Sequence, residues 1–169
     1  MTMDAGWRPM AAADLPAVSR IAAEVHRDFP EDDAIFAERL ALYPSGCLIL
    51  GSGGERLGYA LSHPWRPAEP PPLNTRLHAL PERPGTYYLH DVALLPAARG
   101  QGAARRLLAR LEREAGELPE ISLVAVGGTT GFWGRLGFTV VELPGLGAKL
   151  ANYGADARYM RKELSARSA

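Results

Sequence analysis

The sequence predicts an α/β protein, because segments typical of buried strands alternate with segments typical of amphipathic helices. The clearest strand is residues 86–93, which are rich in aromatic and branched residues and contain neither glycine nor proline. A short turn with Gly100 and Gly102 follows. In residues 103–115 the apolar positions share one helical face. These three segments predict a strand, a tight turn and a helix.

The same kinds of signal predict the elements that precede residues 86–115. A short strand is predicted at residues 7–10, followed by a helix that Asp14 caps and Pro30 stops. Acidic residues favour a helix N-terminus, so a second helix is predicted from residues 31–33 to Tyr43. A glycine-rich turn then joins the two strands of a hairpin at residues 46–50 and 56–63.

After the central helix the pattern continues with shorter elements. Thr129 or Thr130 is predicted to cap a short helix that runs to Leu136. Residues 143–154 are predicted as a glycine-containing loop, and strands are predicted at residues 121–126, 137–141 and 157–164. The chain of 169 residues is long enough for a sizeable core, so we expect a single domain over residues 1–169.

Composition and charge exclude several function classes. The formal net charge is zero, so we expect no general affinity for nucleic acid and no basic surface that binds membranes. Cys47 is the only cysteine and lies in an apolar run, which predicts a buried thiol and no internal disulfide. We find no secretory signal pattern and no apolar stretch of membrane-spanning length, and therefore expect a cytoplasmic location. No metal site is predicted.

The strand, the glycine turn and the helix N-terminus together predict a site for an anion. The first amides of a helix have no helical acceptor, and the helix end carries about half a positive charge. Glycine also lets a phosphate approach the backbone. The residues do not match a nucleoside triphosphate loop, and Arg105 stands where a dinucleotide fingerprint needs its third glycine.

Two motifs resemble the GNAT superfamily of acetyl-CoA-dependent N-acyltransferases. The first is Arg-Gly-Gln-Gly-Ala-Ala at residues 99–104, which is similar to the family's pyrophosphate loop. The second is Phe-Trp-Gly-Arg-Leu-Gly-Phe at residues 132–138, where the family often has Phe-Tyr-x-x-x-Gly-Phe. The resemblance covers roughly residues 7–164. It implies a GNAT-like fold, in which a mixed, mostly antiparallel central sheet has splayed fourth and fifth strands and is flanked by helices.

The resemblance also implies acetyl-CoA as co-substrate. In the family, the backbone of the fourth strand binds the pantetheine arm, and the amides of the glycine turn bind the pyrophosphate. Carried over to this sequence, the cofactor-binding residues are Val92, Ala93, Leu94, Arg99, Gly100, Gln101, Gly102, Ala103, Ala104, Arg105 and Trp133.

The catalytic residues are predicted with one departure from the family. Trp133 replaces the tyrosine that usually protonates the departing thiolate, so we interpret it as a wall and take Tyr153 as the candidate acid; the alternative is that Tyr153 only packs. His90 lies two residues before the predicted pantetheine contact and is the candidate base. Alternatively, His90 is a satisfied core histidine. Asp91 points to the other face of the strand, as a rival base or as a partner of the substrate ammonium.

The acceptor is predicted from the proline-rich segment at residues 64–84, which is too long for a simple connection. Long loops beside a sheet often shape pockets, and His63 and Trp65 are its candidate substrate residues together with Asp91. A proline-walled pocket favours a small-molecule amine as substrate. We expect the protein to be a monomer or a homodimer. Two alternatives are a protein or peptide N-acetyltransferase and a non-catalytic module that binds acyl-CoA. His26, near the end of the first helix, is interpreted as a surface histidine.

Overall fold

The computed structural model describes residues 5–165, which form five α-helices, four short 3-10 helices and seven strands. The helices are α1 (Leu15–Val25), α2 (Asp33–Leu42), α3 (Ala103–Ala115), α4 (Thr130–Arg135) and α5 (Leu146–Lys149). The strands are β1 (Gly6–Pro9), β2 (Cys47–Ser52), β3 (Glu55–Trp65), β4 (Thr86–Leu94), β5 (Glu120–Ala125), β6 (Thr139–Val140) and β7 (Arg158–Glu163). Within the described part of the chain, no helix is both long and apolar enough to cross a bilayer.

The seven strands have the order β1-β2-β3-β4-β5-β7-β6. Strands β1 and β2, β2 and β3, β5 and β7, and β6 and β7 pair antiparallel, whereas β4 and β5 pair parallel. A parallel pair needs a crossover connection, and α3 provides it here. The α/β class, the mixed and mostly antiparallel sheet, and the order of elements predicted from the sequence are thus confirmed.

Several local predictions are corrected. Helix α1 ends at Val25 and not near residue 29, because His26 has left the helical backbone region with φ −112° and ψ 50°. Strand β6 has only two residues, and the predicted loop at 143–154 contains α5 and a short 3-10 helix. Positive φ at Gly145 allows the turn into α5.

Asp14 and Thr129 stand at the N-cap positions of α1 and α4, but neither side chain makes the predicted hydrogen bond to a helix amide. Asp14 precedes α1, but its carboxylate accepts hydrogen bonds from Arg8 and Arg56 and from the backbone N–H of Ala11. Thr129 precedes α4, but its hydroxyl donates to the Val126 carbonyl at 2.7 Å. In both cases a tertiary or turn contact competes with the helix amides for the same short polar side chain.

The chain divides into two compact units. The first comprises the residues up to 62 together with residues 91–114, and it contains β1, β2, α1 and α2. Its core is built around Val18, Ile21, Phe36, Ile49 and Leu61. Cys47 is fully buried there, as predicted, and burial raises the pKa of its thiol to about 12.

The second unit comprises residues 63–90 and the residues from 115 onward, and it contains α4, α5, β5, β6 and β7. Its core includes Trp65, Tyr88, Tyr153 and Tyr159. The loop after β3 is fastened to this core, since Ala68 N–H donates to Tyr159 Oη at 2.9 Å and the indole N–H of Trp65 donates to the Glu69 carbonyl at 2.8 Å. The assignment of residues 1–169 to one domain stays a prediction.

Candidate active site

The glycine turn before α3 has the geometry of an anion cradle. Gly100 and Gly102 both have φ +76°, a conformation that favours glycine. The first helical hydrogen bond runs from the Arg106 N–H to the Gly102 carbonyl at 3.1 Å, so the amides of residues 103–105 precede it. A Cβ built at Gly100 meets nothing within 4 Å. The turn therefore presents open backbone donors at the positive end of a 13-residue helix.

The same turn is braced by its own side chains. The guanidinium of Arg106 donates to the Gln101 carbonyl at 2.7 Å and to the Ala5 carbonyl at 3.0 Å. The side-chain amide of Gln101 donates to the Ala97 carbonyl at 3.0 Å, and Arg99 Nε donates to the Leu94 carbonyl at 3.1 Å. Arg105 is exposed. The backbone of the cradle is thus held in place by hydrogen bonds that need no ligand.

Strand β4 continues beyond its last residue that pairs with the parallel strand β5. Its register with β5 covers Tyr87 to Leu89, and β4 continues for five residues to Leu94. Val92, Ala93 and Leu94 lie in this extension, at its end toward the glycine turn. The three residues predicted to bind pantetheine therefore follow the last residue of β4 that pairs with β5.

A hydrogen-bonded triad of His26, Asp91 and Tyr59 lies in the first unit. His26 Nε2 is 2.9 Å from Asp91 Oδ1 and 3.1 Å from the Val92 carbonyl oxygen. The hydroxyl of Tyr59 donates to Asp91 Oδ2 at 2.5 Å. The side chain of His26 is 24% exposed and that of Asp91 is 10% exposed. The interpretation of His26 as a surface histidine is therefore wrong.

The electrostatics of the triad follow from its burial and its charges. Burial lowers the pKa of His26, but the hydrogen bond and negative charge of Asp91 more than offset it, and the pKa is raised above 6.5. Burial and the neighbouring Asp91 carboxylate raise the pKa of Tyr59 well above 10. Tyr59 therefore remains a neutral donor at physiological pH, and the charged form of His26 persists to a higher pH than that of an ordinary histidine.

The triad opens onto a cavity of about 360 Å³ in the first unit. Helix α1, α2, the chain between them and Asp91 line it. The lining contains three carboxylates, Glu31, Asp33 and Asp91, and one guanidinium group, that of Arg27. Carboxylates therefore outnumber guanidinium groups. Phe29 and Phe36 add two aromatic rings to the lining.

A second histidine cluster lies in the second unit and brings together three of the predicted residues. The ring centroid of His63 is 5.4 Å from that of Trp65, edge to face, and 6.5 Å from that of His90. His90 and Tyr88 lie two residues apart on β4 with centroids 6.2 Å apart, as the alternation of a strand predicts. His63 Nδ1 is 2.9 Å from the Pro64 carbonyl oxygen. The base and substrate roles of these residues stay predictions.

Tyr153 and Trp133 also lie in the second unit. Tyr153 is buried, and its hydroxyl donates to the Pro71 carbonyl at 2.6 Å, which fastens the proline-rich loop. Trp133 is buried in α4 and has edge-to-face contacts with Phe132 and Phe138. Such packing suits a wall, although the assigned roles of both residues stay predictions.

Sequence patterns do not identify His26 and Tyr59 as members of one site. The useful signal was Asp91, a carboxylate in the middle of a strand otherwise typical of burial, because a buried charge needs a partner. That signal predicts that a partner exists, but not which residue it is.

Comparisons with known proteins identify the family and the fold. The model of the acetyltransferase (GNAT) family matches residues 13–138. No curated protein sequence matches significantly. Among solved structures, a GNAT-like decarboxylase, GphF, in complex with isobutyryl-CoA superposes with a TM-score of 0.78 at 15% identity, over 95% of this chain and 100% of that chain.

Two further solved structures are of proteins whose names refer to different classes of molecule, a ribosomal protein and an N-acetylated amino acid. The ribosomal-protein-S18-alanine N-acetyltransferase from Escherichia coli has a TM-score of 0.65 at 18% identity, over 97% of this chain and 96% of that one. N-acetylglutamate synthase from Neisseria gonorrhoeae, complexed with coenzyme A and N-acetyl-glutamate, has a TM-score of 0.71 at 16% identity, over 98% of this chain and 36% of that one. At these identities the likeness establishes the fold alone.

Proposed function

This chain belongs to the acetyltransferase (GNAT) family and is an acyltransferase, and we propose that it transfers the acetyl group of acetyl-CoA to the primary amine of a small molecule. The amine attacks the thioester directly, without a covalent enzyme intermediate. Acetyl-CoA supplies the activated acyl group, and the protein supplies binding, orientation and proton transfer.

The glycine turn supports CoA as the co-substrate. Its open backbone donors, the N-terminus of α3 and the exposed guanidinium of Arg105 all favour a pyrophosphate. Val92 and Leu94 lie beyond the last β4 residue that pairs with β5, and their N–H groups are the donors that we assign to an extended pantetheine arm, since the Val92 carbonyl contacts His26 and the Leu94 carbonyl accepts from Arg99. Solved structures of this fold with isobutyryl-CoA and with coenzyme A agree with this assignment.

The cavity beside the triad carries the proposal of a small amine. A volume of about 360 Å³ is at the lower end of the range for small-molecule pockets. An excess of carboxylates favours a cation, and an alkyl ammonium with a pKa of about 10 is a cation at neutral pH. Two phenylalanine rings favour an apolar or aromatic body behind the ammonium group.

The test is a transfer assay with acetyl-CoA and a panel of acceptors. The panel contains arylalkylamines, alkyl polyamines, amino acids and short peptides with a free N-terminus, and thiol release is compared with acylated product. We expect transfer to at least one small amine, with kcat/KM for it well above the values for peptides.

The alternatives give different results in the same assay. Transfer to peptides alone would support a protein or peptide acetyltransferase, the class of the ribosomal-protein enzyme among the structural relatives. CoA binding by calorimetry without transfer to any acceptor would support a non-catalytic acyl-CoA-binding module.

A further inference from the structure

We propose that His26 is the residue that removes the proton from the acceptor ammonium, with Asp91 and Tyr59 as positioning residues that hold its imidazole ready for this step. The inference rests on the proposed function, because it assigns the proton acceptor of that same reaction.

The hydrogen bonds of His26 define which of its nitrogens is the base. Its Nε2 lies within hydrogen-bond distance of a carboxylate oxygen at 2.9 Å and a carbonyl oxygen at 3.1 Å. Both partners are acceptors, so Nε2 carries the hydrogen and donates it. In the neutral ring Nδ1 is then the acceptor nitrogen.

Asp91 and Tyr59 hold the ring in this tautomer. One oxygen of Asp91 accepts from His26 and the other accepts from Tyr59, which is fully buried. The carboxylate side chain is only 10% exposed, so water competes little for these hydrogen bonds. When Nδ1 gains a proton, the adjacent carboxylate stabilises the imidazolium. The triad thus combines a fixed orientation with a ready counter-charge.

His26 also lies where an acceptor amine and an acyl group meet under the proposed function. Its side chain lines the acidic cavity, and its Nε2 contacts the carbonyl of Val92. Val92 is one of the three residues assigned to the pantetheine arm. One imidazole therefore adjoins both the cavity for the amine and the strand for the thioester.

The proposed step balances in protons and bonds. An N–H bond of the ammonium breaks as Nδ1–H forms, and the freed amine attacks the thioester carbonyl. The C–N bond forms, the C–S bond breaks, and the second proton leaves the nitrogen with the thiolate to give the CoA thiol. His26 then returns its proton to solvent.

The charges around His26 determine the pH dependence. Burial opposes the charged ring, whereas Asp91 from β4, the Val92 carbonyl and Glu31 from the chain after α1 favour it. Asp33 from α2 and Arg27 line the same cavity with opposite charges. The ring must be neutral to accept a proton. We therefore expect kcat/KM to fall on the acid side with an apparent pKa above the ordinary 6.5.

The decisive experiment compares H26Q with H90Q in the full-length protein, using an amine that the acceptor panel has shown to be acetylated. We expect H26Q to lower kcat/KM about 100-fold or more at pH 7 and to remove the acid limb of the profile. CoA affinity, measured by calorimetry, should change less than twofold. H90Q should keep the acid limb.

A second readout varies the acceptor. The loss in H26Q should be largest for an alkyl amine with a pKa of about 10 and smaller for an α-amino amide with a pKa of about 8, because the weaker base is already partly deprotonated. A merely structural role of His26 would lower both rates equally. The control Y43F removes a tyrosine–carboxylate hydrogen bond outside the cavity, to Glu114 at 2.7 Å, and should leave the profile unchanged.

Three outcomes would overturn the inference. If H26Q keeps the acid limb while H90Q loses it, the base is His90. If H26Q lowers both amine rates by the same factor and keeps the wild-type profile, its role is structural. If no acceptor in the panel is acetylated although CoA binds, the proposed function fails first, and the assignment of His26 falls with it.

Discussion

In the first unit His26 contacts the Asp91 carboxylate and the Val92 carbonyl, whereas in the second unit His63 contacts the Pro64 carbonyl oxygen and packs beside the rings of Trp65 and His90. A carboxylate at 2.9 Å changes the proton affinity of an imidazole and selects its tautomer. Ring contacts at 5–7 Å mainly fix where the imidazole lies. Two neighbours on β4 thus have different surroundings, since Asp91 contacts His26 and Tyr59 whereas His90 lies beside the rings of His63 and Tyr88.

The largest expected effect concerns the anion cradle of the first unit. G102E places a negative charge and a side chain at a position with φ +76°, and we expect CoA affinity to fall about 100-fold or more, or about 3 kcal/mol. The matched control is G116E, which has φ +60°, open space around its Cβ and the same added charge. Calorimetry with CoA gives both values, and equal losses in the two variants would remove the pyrophosphate assignment.

The second prediction concerns the close packing of β3 against the end of β4, measured by the stability of a variant at Gly58. A Cβ at Gly58 would lie 2.7 Å from the Ala93 carbonyl oxygen, so G58A must displace the strand that carries Val92 and Ala93. We expect a loss of about 1–3 kcal/mol in unfolding free energy and a Tm lower by several degrees.

G147A in the second unit is its control, because nothing lies within 4 Å of the added Cβ. Its Tm should stay the same or rise slightly. Equal Tm values for G58A and G147A would show that β4 adjusts without cost.

A smaller effect is expected at Trp133 of the second unit. Its packing against Phe132 and Phe138 suits a wall, so W133F should keep most of the turnover and W133A should mainly weaken CoA binding. Steady-state kinetics and calorimetry separate the two. Collapse of turnover in W133F with unchanged CoA affinity would contradict the wall interpretation.

The smallest effect is the pH dependence of stability. The pKa of His26 is raised in the folded protein, so its contribution to stability is complete below pH 6.5 and is lost as the pH rises through the folded value. The difference in unfolding free energy between wild type and H26Q should therefore shrink from pH 6 to pH 8. D91N should abolish this dependence, and denaturant titrations at each pH measure it. A difference that grows with pH would contradict the ion pair.

The sequence alone determined the α/β class, the order of elements, and the strand, glycine turn and helix at residues 86–115. These features depend on local rules: the period of apolar residues, the positive φ that glycine allows, and the unpaired amides of a helix N-terminus. Short elements such as β6 and α5 escaped prediction, because two to four residues carry too little periodicity.

Only the tertiary structure decided which residues surround Asp91. His26 lies 66 residues before Val92, and Tyr59 lies 32 residues before Asp91, yet both His26 and Tyr59 contact Asp91 in the first unit. A buried carboxylate must find donors, but the strand order and the end of α1 determine which donors are within reach. Hydrogen-bond partners at such separations are set by how the chain folds back on itself, which local sequence patterns do not contain.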